Sequence, residues 1–179
     1  YFTKQALGNT WTFLVTDAQP TPHSFQSTDV ITASSGGVVT ISDPAAAAFP
    51  PPSVDRYYID GTGALICEHG DSSGTIYWTQ IVLPPSFSVG TTWKGDPADP
   101  ASHLSEIMAF NDTVTVPTGT FTDCLRINSI WYSTDPATGA VTATGSSVAY
   151  YSPAVGMMPV YVDENSGQQV WALQSYITN

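Results

Sequence analysis

A chain of 179 residues is the size of one domain, 1–179, and is long enough to bury a real core. Charged residues make up only 11% of it, against roughly 25% in typical soluble domains, and the net charge is -11. Lys4, Arg56, Lys94 and Arg126 are scattered singly, so the clustered cations that nucleic acid or anionic lipid head groups demand are missing.

Taken in order, apolar residues alternate with polar ones in runs rich in Val, Ile, Thr, Tyr and Trp, the two-residue period of half-buried strands. Strands are predicted at TWTFLVT (10–16), VVTIS (38–42), DRYYI (55–59), ALICEH (64–69) and TIYWTQIVL (75–83). The series continues with LSEIMAF (104–110), CLRINSIWY (124–132), AVTATGSSVAYYS (140–152), MPVYV (158–162) and QQVWALQSYI (168–177). Between them DGTG (60–63), GDSSG (70–74), TDPATG (134–139) and DENSG (163–167) carry turn residues. Such short connections join antiparallel neighbours. The expected fold is all-β, a single antiparallel meander of about ten strands. It would form a curved sheet, half-barrel or incomplete barrel, with a β-sandwich as the alternative. DPAAAAFPPPS (43–53) reads as an extended surface loop, and GDPADPASHLSEIM (95–108) as a loop followed by a strand. LGNTW (7–11) and VGTTW (89–93) echo each other, each setting a Gly and then a Trp at a strand start. A duplicated half-domain would explain this; a repeated way of beginning a strand is the favoured explanation.

Cys67 and Cys124 leave two options, one disulfide or two buried thiols in neighbouring strands. In VPTGTFTDCLRI (116–127), Pro117 and Gly119 are expected to make a turn, Phe121 to anchor it and Cys124 to begin a long strand. Asp123 opposes a thiolate at Cys124, so a structural role is favoured over catalysis. The three histidines, His23, His69 and His103, show no HxH or HExxH spacing, and neither a metal nor a cofactor is expected. Most aspartates are assigned to turns, since Asp43, Asp96, Asp99 and Asp135 precede Pro and Asp60 precedes Gly. Asp55, Glu68, Glu106 and Asp123 remain as candidates for a hydrolytic acid–base pair.

The aromatics point towards binding. A curved sheet lined by rings can leave a cavity for an apolar ligand, although core filling is the favoured role for most of them. Tyr57 and Tyr58, and Tyr150 and Tyr151, face opposite sides in pairs. PAVGMMPV (153–160) is a tight apolar bend, either a pocket rim or, as favoured, a bulge on the core. Trp11, Trp131, Tyr151, Met157 and Met158 are the ligand-binding candidates.

YFTKQALGNTW (1–11), VTVPTGTFTDCLRI (114–127) and YYSPAVGMMPVYV (150–162) occur in an order that resembles a group of poorly characterised bacterial exported proteins and lipoproteins. Members of that group tend to read F-P-L-x-x-G-N-x-W, P-x-G-x-F-x-x-C and Y-x-P-G-V-G. Thr3 stands where proline is common and Ala154 where the last motif has Gly. The resemblance implies an exported, β-rich, envelope-associated domain and brings no catalytic residues with it. Composition agrees, being poor in Lys and Glu and rich in Ser, Thr and Gly. The start at Tyr1, without a basic-then-apolar leader, reads as a mature or trimmed chain. No run approaches the roughly 18 apolar residues of a membrane helix. The expected function is non-enzymatic: an exported bacterial protein, monomeric, binding an apolar small molecule within its curved sheet or a partner in the envelope. A surface module for carbohydrate or protein is the alternative, and a carboxylate-pair hydrolase the third reading.

Overall fold

The computed structural model describes residues 6–16, 23–43, 53–163 and 168–179. Twelve strands follow one another: β1 (Thr10–Thr16), β2 (Ser24–Ser35), β3 (Val38–Ser42), β4 (Ser53–Ile59), β5 (Leu65–Asp71) and β6 (Ile76–Leu83), then β7 (Thr92–Lys94), β8 (Leu104–Val116), β9 (Gly119–Thr134), β10 (Val141–Ser152), β11 (Met157–Asp163) and β12 (Gln168–Ile177). All twelve lie in one antiparallel sheet, in the order β6-β5-β4-β3-β2-β1-β12-β11-β10-β9-β8-β7. The sheet curls into a nearly closed barrel. Its free edges meet where the Ile81 amide donates to the Gly95 carbonyl at 2.7 Å and the Trp93 indole to the Ile81 carbonyl at 3.0 Å. A single sheet replaces the sandwich alternative. Two strands exceed the expected set, β2 and the three-residue β7. No helix among the described residues is long and apolar enough to cross a membrane.

Alternation sets the inside. In β1, Trp11, Phe13 and Val15 are buried, while Thr12 meets Thr28 of β2 hydroxyl to hydroxyl at 3.2 Å. Those three residues join Ile31, Leu173, Val155 and Val160 in the larger of two apolar clusters. The long β8–β9 hairpin carries Val116 and Phe121 into the same cluster, and its Thr118 amide donates to the Leu173 carbonyl at 3.4 Å. The hairpin tip is thus laid across the barrel against β12. The smaller cluster, of Leu65, Leu83, Trp93, Ile107, Leu125 and Ile127, packs beneath the seam, and Tyr57 touches both.

The turn expected at Pro117 and Gly119 links β8 to β9, with Val116 opposite Gly119. Cys124 follows a β-bulge rather than opening the strand: Phe121 faces Val114 and Cys124 faces Asp112, leaving an extra residue on β9. Asp123 takes the left-handed conformation there, at φ 57°. The loop expected over 43–53 lies outside the described residues from 44 to 52, as do most of the turn over 163–167 and the first five residues of the 1–11 motif.

LGNTW and VGTTW occupy equivalent places. Gly8 and Gly90 both have left-handed φ, 83° and 84°. The Gly8 amide donates to the Ile31 carbonyl, whose own amide donates to Asn9; Gly90 does the same with Ile107 and Thr91. Trp11 and Trp93 each bury an indole that donates to a distant backbone carbonyl, of Val155 and of Ile81. The shared anchoring divides the ring into two six-stranded halves, β1–β6 and β7–β12, joined at β1–β12 and at the seam.

Candidate functional site

The barrel is not filled. On one wall three acidic residues turn inward: Asp29 of β2, opposite Trp11, Asp43 just past β3, and Asp55 of β4. Asp55 faces His69 across β4 and β5, and the imidazole Nδ1 lies 2.7 Å from a carboxylate oxygen. The outer face of that imidazole is covered by Trp78, stacked at 4.8 Å and 11°. Ser27 donates to Asp43 at 2.7 Å. On the facing wall small hydroxyl residues replace large apolar ones. Ser105 and Ser129 share a hydrogen bond at 2.8 Å, and Ser147 accepts one from the Trp131 indole at 2.9 Å. Serines occupy the positions where bulky side chains would otherwise meet, and space remains between the walls.

That space is a cavity of about 500 Å³ bounded by the three aspartates, His69, Tyr57, Tyr161, Trp131, Trp171 and the two methionines 157 and 158. A second hollow of about 240 Å³ reaches under the seam to Ser105, Ser129, Ser147 and Tyr151. Both share Tyr57, Trp131, Met158 and Tyr161, so one amphipathic chamber runs across the barrel. Outside the seam lies a groove of about 460 Å³ between Trp78, Gln80, Asp96, Asp99 and His103, and Trp131 borders it too.

Electrostatics divide the chamber. Asp29 is pushed up to about 7, first by burial and then by the charges of Asp43 and Asp55. Burial raises Tyr57 well above the usual phenol range and Tyr151 to about 12, so both keep their protons at neutral pH. His103 is held below its ordinary value by burial and is neutral. Its ring lies 4.7 Å from that of Trp131 and directly over Gly95, where a Cβ would fall 2.1 Å from the imidazole Cε1. Gly95 is what lets the imidazole come down onto the seam.

Of the sequence candidates, Trp131, Met157 and Met158 line the larger cavity, and Tyr151 lines the smaller together with Trp131 and Met158. Trp11 lines neither: it is 1% exposed and packed in the larger apolar cluster. Cys67 and Cys124 are free, buried thiols. They sit on β5 and β9, which are not neighbours in the ring; Cys67 pairs across to Tyr57 and Gln80, and Cys124 donates to the Phe121 carbonyl at 3.6 Å. Burial, with Asp55 nearby, pushes Cys67 up to about 12, and burial also raises Cys124, so neither is poised as a nucleophile. Arg126 pairs with Asp112 at 2.9 Å. Of the leftover carboxylates only Asp55 reaches the chamber. Glu68 accepts from Tyr58 on the outer face, and Glu106 and Asp123 are exposed. Sequence reasoning missed Asp29 and assigned Asp43 to a turn. Their signal is positional, one carboxylate at an inward place of β2 and one just past the end of β3, and it is readable only once β2 is known to be a strand. The chain matches no family model, no curated protein and no solved structure.

Proposed function

We propose that the protein is a non-enzymatic small-molecule binder that encloses an apolar or amphipathic ligand inside its barrel. The observation that carries this is the chamber itself: about 500 Å³ in its larger part, walled by Tyr57, Trp131, Met158, Tyr161 and Trp171, with a few polar groups among them. Binding sites for small molecules are concave, mostly apolar and of this size, with a few placed polar groups. Two methionines add a wall that can adapt to a ligand's outline. Composition and the three short motifs support a location outside the cytoplasm in this reading. Titration with an uncharged environment-sensitive fluorophore tests it. Saturable enhancement at one site, lost in Met158→Arg, is the expected result; no saturable binding by any probe would remove the reading.

A second reading draws on the same wall. Asp29, raised to about 7, beside Asp43 and Asp55 resembles the division into a protonated acid and an ionised base that glycoside hydrolysis uses. Turnover of aryl glycosides, abolished by Asp29→Asn, would favour it over the carrier.

A further inference from the structure

We infer that the ligand of this chamber is a cationic amphiphile, an apolar body bearing a protonated amine, with its ammonium group set against Asp29, Asp43 and Asp55 and its apolar part along Tyr57, Trp171 and Met158. The inference rests on the reading that the chamber holds a small molecule, and it names the class.

Charge balance is the first support. None of the chamber's described lining residues is a Lys or Arg. The described cations are engaged elsewhere: Arg56 donates to the Asp71 carbonyl, Arg126 to Asp112 and Lys94 to the Pro100 carbonyl. Among the described lining residues His69 is the only basic group on the acidic wall, and Asp55 holds it. Asp29 sits half-buried at an inward position of β2, opposite Trp11, and borders the cavity with Asp43 and Asp55. Three carboxylates gathered round one hollow repel one another, and one ammonium group with three N–H donors offsets that repulsion.

The aromatic walls are the second support and are independent of the first. Tyr57, Tyr161, Trp131 and Trp171 border the same cavity as the carboxylates. Ring faces carry negative potential and attract cations, while anions are repelled by them and by the aspartates alike. A fatty acid or phosphate ester would therefore be rejected. A bare metal ion fits poorly as well: hard cations take shells of six or more oxygens, whereas here thioether and aromatic groups share the lining with the carboxylates. No group of three His, Cys, Asp or Glu among the described residues is arranged to hold a metal ion. What remains is a cation carrying apolar surface.

Three probes of one chain length decide it: dodecylamine, dodecanol and dodecanoate, each below its micelle concentration at about pH 8, followed by tryptophan fluorescence and calorimetry. The amine should bind at least tenfold tighter than the alcohol, and the carboxylate weakest. Asp29→Asn/Asp55→Asn should erase the amine's advantage and leave the alcohol's affinity in place. Asp60→Asn/Asp135→Asn, which removes the same charge from exposed turns, should keep it. An amine that binds no tighter than the alcohol, or whose advantage survives in Asp29→Asn/Asp55→Asn, overturns the inference and leaves the carrier reading standing. If none of the three binds, both fall. Should the double variant fail to fold, the ranking of the probes on the wild-type protein decides alone.

Discussion

Asp29→Asn should make the protein more stable at alkaline pH and nearly unchanged at acid pH. Asp29 faces the chamber beside Asp43 and Asp55, and burial followed by those neighbours raises its carboxyl from 3.8 to about 7. Below about pH 4 the proton is held in both the folded and the unfolded chain, so Asp29 costs nothing. Between about pH 4 and about pH 7 the unfolded chain releases it and the folded chain keeps it, and stability falls as pH rises. Above about pH 7 the loss is complete. At ~1.4 kcal/mol for each pKa unit the full penalty is about 4 kcal/mol, and contact with solvent in the cavity reduces it towards ~2 kcal/mol. Asparagine has no proton to lose, so the variant escapes this term. Urea unfolding at about pH 4, 6 and 8 should show a gap between the two proteins that opens to about 2–4 kcal/mol at the highest pH. Asp60 and Asp135, held low by their turn hydrogen bonds, impose the opposite pH dependence, but both proteins carry them and they cancel. A gap that stays constant across the series would refute the reasoning, because it would mean that Asp29 titrates alike in the folded and unfolded chains.

Three further outcomes follow from the geometry. Neither Cys67 nor Cys124 should react with iodoacetamide in the native protein at about pH 8, and both should react in denaturant; an intact mass short of two hydrogens, or rapid native labelling, would contradict the free, buried thiols. Gly95→Ala should drive the His103 imidazole off the seam, costing about 1–3 kcal/mol and moving the Trp131 indole resonance; an unmoved resonance with unchanged stability would refute it. Gly70→Ala should cost more than Gly95→Ala by thermal melt, because its Cβ would fall 2.1 Å from the Thr75 carbonyl oxygen, a backbone atom that cannot rotate away. Equal melts for the two variants would count against that ranking.

The all-β meander was legible because ten strands follow ordinary patterning, and β2 escaped because it does not. Its inward places include Ser27 and Asp29, and Phe25 on the same face is 55% exposed, so the apolar alternation that reveals β1 is missing over part of β2. The chamber causes the failure: a strand that lines a polar cavity cannot also show a hydrophobic stripe. β7 was missed for another reason, since three residues hold no period. Trp131, Tyr151, Met157 and Met158 were found by residue type alone. Trp11 shows the limit of that approach, because an inward Trp reads the same whether the space before it is filled or open. Val155 and Phe121 share the packed cluster of Trp11, whereas small serines, Ser105, Ser129 and Ser147, line the hollow beside Trp131. The Asp55–His69 pair depends on the β4–β5 register, which sequence spacing suggests but does not fix.

The two joints of the ring are unequal, and that makes the barrel a spring clip. At β1–β12 the halves are knit by a ladder running from Thr10 through Val15, whereas the β6–β7 joint has one backbone hydrogen bond and one indole to hold it. Breathing should therefore concentrate at the clasp, with amide exchange at Ile81 fast and at Phe13 slow. Because Trp131 and His103 stand beside that clasp, the weakest joint of the ring also opens onto its hollow. Under the proposed carrier reading, a guest entering there would break those two hydrogen bonds and part the Leu83 and Trp93 packing beneath them, while the knitted side keeps the halves in register.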